Sequence, residues 1–125
     1  MSLDVYLYGA ADQTRCVCPK CGDDHAAVNE PQLFSANITH NLNTMAGEAG
    51  IYEHLWRPDK IGVTTAGQLI EPLRAGLQRL RERPEYFKRF NPANGCGTYE
   101  GLVRFVTDYA DACEDNPEAT VTVSR

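Results

Sequence analysis

Apolar and polar residues alternate near both ends of this chain, and between them the apolar spacing becomes helical. In LDVYLY, residues 3–8, Leu3, Val5 and Leu7 share one face, the period-two pattern of a half-buried strand. QLFSANIT alternates through Phe34, Ala36 and Ile38 and predicts a second strand, and TVTVS at 120–124 predicts a closing one. NTMAGEA, residues 43–49, predicts a short helix with Asn43 or Thr44 as its cap and Gly50 at its end. IYEHLWRPD follows, with the only tryptophan, Trp56, and a break at Pro58. Thr65-Ala66-Gly67-Gln68 has the form of a capping box and opens a helix to about Arg83. Leu69, Ile70, Leu73, Leu77 and Leu80 fall within one arc of about 100° on a helical wheel, the width of a core-facing stripe. Pro72 sits opposite the stripe, where a kink on the solvent side is expected.

Pro84 begins a further helical turn, PEYFKRF. Thr98 is placed to cap a final helix of about residues 99–114, whose apolar side gathers Leu102, Val103, Phe105, Val106, Tyr109, Ala110 and Cys113. The expected fold is therefore α+β: a small, mainly antiparallel sheet with helices packed on one face. A chain of 125 residues fits one such domain, spanning 1–125, with a metal-binding loop at about 16–25 between the first two strands.

That loop carries the densest chemistry. CVCPKCGDDH, residues 16–25, holds three of the five cysteines and one of the three histidines. Cys18-Pro19-Lys20-Cys21-Gly22 has the spacing of a zinc knuckle, in which a two-residue gap lets both thiolates reach one ion. Cys16 and His25 complete a local Cys₃His tetrahedron, although the C-x-C step is tight. Four local ligands close the shell, so the expected zinc is structural and not catalytic. A set using Cys18 and Cys21 with Cys96, His40 or His54 is one alternative; a disulfide, which a cytosolic setting and the short Cys16–Cys18 step disfavour, and unliganded thiols are the others. Cys113, within an apolar stripe, reads as a small core residue.

Two polar stretches are candidate binding elements. Asn37-Ile38-Thr39-His40-Asn41 ends a strand, and Asn37, Thr39, His40 and Asn41 all carry hydrogen-bonding side chains. Capping and core roles compete with a polar pocket there. Asn94-Gly95-Cys96-Gly97-Thr98 precedes a helix, where free N–H groups and close backbone approach suit an anion. Asn94, Gly95, Gly97 and Thr98, joined by Arg57, are the candidate ligands for a phosphate or carboxylate. A plain helix-entry turn is the competing reading.

The net charge of −5 argues against a general nucleic-acid binder. The charge is uneven: residues 71–90 carry six basic and three acidic side chains, residues 99–118 one basic and six acidic. Tyr86 and Phe87 interleave with the basic residues, a composition compatible with nucleic acid, but Glu71, Glu82 and Glu85 dilute it. No apolar run approaches the roughly 20 residues of a membrane span, and the start lacks the basic and apolar blocks of a signal peptide. A cytoplasmic protein is expected.

Taken together, MSLDVYLY, SANITHNLNTMAGEAGIYEHLWRPDKIG, GQLIEPLRAGL, FNPANGCGTYEGLVRFVTDYADAC and VTVS resemble a group of small, uncharacterised proteins common in bacteriophage and prophage genomes. The resemblance covers most of residues 1–8 and 35–125; members of the group read GWGTYE where this chain has Cys96. It implies a phage-borne protein acting in a bacterial cytoplasm, with the cysteine loop as a variable insertion. The expected function is that of a zinc-stabilised accessory protein, non-enzymatic, binding a host protein or other partner, counter-defence among the possibilities. The alternatives are a small-ligand or nucleotide site built from Asn37–Asn41 and Asn94–Thr98, and a hydrolase using His40 or the metal.

Overall fold

A computed structural model describes residues 2–9, 32–93, 95 and 97–125. The alternating stretches form three strands: β1, Ser2–Tyr8; β2, Gln32–Thr39; and β3, Thr120–Ser124. They make one antiparallel sheet in the order β2-β1-β3. The register pairs Leu3 with Ile38, Val5 with Ala36 and Val123, and Leu7 with Phe34 and Val121. All the apolar members of the pattern therefore lie on one face. Leu3, Val5 and Leu7 are completely buried, each contributing about 1.5–3 kcal/mol by leaving water. The opposite face carries Asp4, Tyr6 and Tyr8, with the two tyrosine rings stacked at 6.0 Å. One extra residue in β2 opposite the Leu7–Tyr8 step makes a bulge, and it leaves Leu33 44% exposed.

The helices α3, Gly67–Glu82, and α5, Tyr99–Asp115, cover the apolar face. Leu69, Leu73, Leu77 and Leu80 of α3 are buried as the stripe predicted, while Ile70 is half-buried at its margin. From α5, Leu102, Phe105, Val106, Tyr109, Ala110 and Cys113 enter the same core. Phe34 of β2 stacks on Tyr109 at 5.9 Å and 7°, locking helix to sheet. Burial pushes the Cys113 thiol up to about 12, so it remains a protonated, inert core group. Arg74 of α3 ties down α5 from outside, with its guanidinium 2.7 Å from Asp111 and 2.8 Å from Glu114.

The capping box is half formed: Gln68 Oε1 accepts from Thr65 N at 3.0 Å and from Thr64 N at 2.7 Å. Helix α3 continues through Pro72, and Pro84 opens α4, Pro84–Lys88.

One local expectation needs correction, and one helix is new. A 3₁₀ turn, His40–Leu42, runs directly into α1, Asn43–Glu48, so Leu42 occupies the cap position and neither Asn43 nor Thr44 caps the helix. The preceding turn already takes up the first N–H, since Asn43 N donates to His40 O. The stretch IYEHLWRPD contains a helix, α2, Tyr52–Trp56. Five residues are too few to display a helical period, and the segment is held by packing of Leu55 and Trp56. Gly50, at φ 79, turns the chain between α1 and α2 as expected, with Ile51 N donating back to Ala46 O at 3.0 Å.

Candidate functional site

The polar end of β2 is mostly engaged in its own structure. Asn37 lies on the outer sheet face, where its amide donates to Asp4 Oδ1 at 2.6 Å and Ser2 Oγ at 2.9 Å. Thr39 Oγ1 accepts from Asn41 N at 3.3 Å and caps the 3₁₀ turn. His40 turns inward, its ring edge-on to Trp56 at 6.1 Å. Its Nε2 is buried without a hydrogen-bond partner among the described residues, as is Trp56 Nε1. No carboxylate among the described residues bonds to His40, so the oriented pair that would activate an imidazole is not assembled there.

The glycine loop comes to meet this turn. A Cβ placed on Gly97 would stand 2.7 Å from Thr39 Cγ2 and 3.0 Å from Leu42 Cγ, so the two polar stretches touch. The start of α5 is less open to an anion than the sequence suggested. Thr98 Oγ1 accepts from Gly101 N at 3.0 Å, and Asn91 Oδ1 accepts from Tyr99 N at 2.8 Å. Gly95 is exposed in open space at φ 76. Asn94 and Cys96 lie outside the described residues. Arg57 closes α2; its backbone N–H donates to Glu53 O, and its side chain makes no ion pair with any described residue.

A cleft of about 430 Å³ opens beside α2. Gly47 and Gly50 from the end of α1, Tyr52, Glu53 and His54 from α2, Ile61 and Val63 from the turn after Pro58, and Gln68 at the start of α3 line it. Tyr52 stacks on Trp56 at 5.5 Å and 13°, so the cleft wall is braced by the same tryptophan that meets His40. Ile61 is 40% exposed at this cleft. Burial lowers the His54 pKa, partly offset by the neighbouring Glu53 carboxylate, so the imidazole is neutral near pH 7. Its Nδ1 is buried and has no hydrogen-bond partner among the described residues. The cleft thus combines two aliphatic side chains and a tyrosine with a neutral imidazole, an amide and one carboxylate, a mixed surface suited to gripping a side chain or a compact ligand.

These residues were hard to find in sequence because four separate segments build the cleft. The sequence points to His54 only as a distant metal ligand. No group of three or more histidine, cysteine or acidic side chains among the described residues is placed to hold a metal. Cys16, Cys18, Cys21 and His25 lie outside the described residues. No described helix is long and apolar enough to cross a membrane. Comparison with protein-family models, curated proteins and solved structures returned no match.

Proposed function

We propose that this chain is a non-enzymatic accessory protein that binds a partner protein through the α2 cleft. The observation that supports this most is Ile61. It is one of two exposed large apolar side chains among the described residues, and it lines the 430 Å³ cleft with Tyr52, Val63 and His54. An exposed aliphatic beside an aromatic-walled depression has the form of an interface anchor, where a few side chains carry most of the affinity. Glu53 and Gln68 supply the polar rim that orients such a contact.

The resemblance to phage and prophage proteins supports a bacterial host protein as the partner in this reading, with counter-defence as one role. In this reading Cys16, Cys18, Cys21 and His25 hold a structural zinc that fastens the loop between β1 and β2. The test is co-purification from bacterial cells expressing the tagged chain. A host protein retained by the wild type and lost with Ile61→Asp, at unchanged melting temperature, is the expected result. Equal retention by both would overturn the reading.

A second reading, a small-ligand or nucleotide site at the junction of the two polar stretches, draws support from the approach of Gly97 to Thr39. It requires mononucleotides or inorganic phosphate to raise the melting temperature. A flat response across that set would remove it.

A further inference from the structure

The charge asymmetry seen in the sequence resolves into a specific arrangement at the end of α3 and along α4. Residues 79–90 carry five basic and two acidic side chains. The tertiary structure divides the basic groups by what they already hold. Arg79 Nη1 donates to Ala49 O at 2.6 Å, closing the end of α1. Arg81 donates to Thr107 Oγ1 at 3.3 Å, and Lys88 stands 3.9 Å from Glu85. Arg83 and Arg89 pair with no carboxylate among the described residues. Both instead lie on one ring: the Arg83 guanidinium is 4.5 Å and that of Arg89 5.3 Å from the centre of Tyr86.

The ring itself is fixed. The Tyr86 hydroxyl donates to Glu48, and the ring meets Phe87 at 5.1 Å and Phe90 at 5.5 Å. Arg89 also lies 6.0 Å from the Phe90 ring. A guanidinium stacked on an aromatic face loses rotamer freedom while its N–H edge stays available for bidentate bonding to a carboxylate. Two of them lie against one ring, beside a shallow depression of about 190 Å³ that Glu48, Arg79, Glu82, Arg83 and Phe87 help to line.

We infer that the Arg83–Tyr86–Arg89 surface is a docking site for an acidic segment of a partner protein. Charge complementarity selects that occupant: the two guanidiniums pair with no carboxylate among the described residues, whereas Arg74 is satisfied by Asp111 and Glu114. The acids at its edge, Glu48, Glu82 and Glu85, oppose the long uniform charge of a nucleic-acid backbone more than a short acidic peptide. This surface does not depend on the α2 cleft. It lies across the end of α1 from it, with Gly47 and Gly50 lining the cleft and Glu48 the depression.

The test uses a fluorescein-labelled hexaglutamate peptide and the full-length chain at low ionic strength, read by anisotropy. The wild type binds it, and binding weakens as salt is raised. The Arg83→Gln/Arg89→Gln double variant binds at least about tenfold more weakly, since charge-assisted hydrogen bonds are removed. Tyr86→Leu keeps both charges and also weakens binding, whereas Tyr86→Phe retains it. Arg104→Gln, on the exposed side of α5, leaves it unchanged. Circular dichroism confirms that each variant is folded.

Absence of wild-type binding, an equal loss with Arg104→Gln, or an unaltered affinity in the double variant overturns the inference. A hexathymidylate binding as tightly as the peptide also overturns it, in favour of nucleic acid. Ile61→Asp leaves the peptide affinity intact, so failure of this surface and failure of the α2 cleft are separately visible.

Discussion

Gly97 backs directly onto Thr39: a Cβ on the glycine would stand 2.7 Å from the threonine methyl, closer than carbon atoms approach in folded proteins. The backbone there is at φ 108, outside the region that residues with side chains adopt. Gly97→Ala therefore meets both strain and a clash, with an expected loss of about 3 kcal/mol. Gly95 shares the loop at φ 76 but has nothing within 4 Å of its added carbon. Gly95→Ala is expected to cost only about 1 kcal/mol. Urea melts of the two variants check the difference, and equal losses would show that contact with the Thr39 turn contributes nothing.

Gly76 presents the same problem inside a helix. Alanine is favoured over glycine in a helix interior by about 1 kcal/mol. Here the new carbon would lie 2.4 Å from Ile51 Cγ2, and Ile51 is fully buried. Gly76→Ala is expected to destabilise by about 2 kcal/mol net. Ile51→Leu removes the offending methyl, so the double variant should be more stable than Gly76→Ala alone in a thermal melt.

Tyr109 buries a hydroxyl that has no hydrogen-bond partner among the described residues. Its ring packs on Phe34 and Phe105, at 5.9 and 6.0 Å, and burial drives its pKa upward. Tyr109→Phe keeps the ring contacts and relieves the unpaired oxygen, with an expected gain of about 1 kcal/mol. A lower melting temperature for this variant would show that the hydroxyl has a favourable role.

Arg74 and Glu114 couple stability to pH. The Arg74 guanidinium, hydrogen-bonded to Glu114, holds that carboxyl below its ordinary 4.5. A depressed carboxylate stabilises the folded state above its ordinary value, and the contribution fades as pH falls through the folded value. Arg74→Gln should lower the melting temperature at pH 7, and the gap to wild type should close on acidification below pH 4.5. The pair is exposed, so the effect is small and shrinks with salt. A constant gap across that range would place Arg74's contribution in packing instead.

The cysteine loop makes a prediction of its own. If Cys16, Cys18, Cys21 and His25 bind zinc, the purified chain carries one zinc per molecule, and a chelator lowers its melting temperature. Cys18→Ser should reproduce the loss without chelator. A zinc-loaded protein that melts identically after chelation would rule out a fastening role.

Much of the fold was readable along the chain because it depends on local periodicity. β2 and β3 match their alternating stretches, and α3 and α5 end within about two residues of the stripes that predicted them. Leu69, Leu73, Leu77 and Leu80 had to share a face at helical spacing, and Leu3, Val5 and Leu7 at strand spacing, whatever lay opposite them. Thr98 and Gly50 were likewise legible, since a cap and a left-handed turn are satisfied within a few residues.

What tertiary structure decided is where distant segments meet. Helix α2 is five residues long and exists because Leu55 and Trp56 find a core. The approach of Gly97 to Thr39 joins loops whose contact no spacing encodes, and the cleft gathers Gly47, His54, Ile61 and Gln68 from four segments. Arg74, Arg83 and Arg89 look alike as letters. Their surroundings separate them, because Asp111 and Glu114 neutralise the first while the other two lie against the Tyr86 ring. A side chain's type sets what chemistry it can offer. Only its neighbours in three dimensions decide whether that chemistry is spent on the fold or left for a partner.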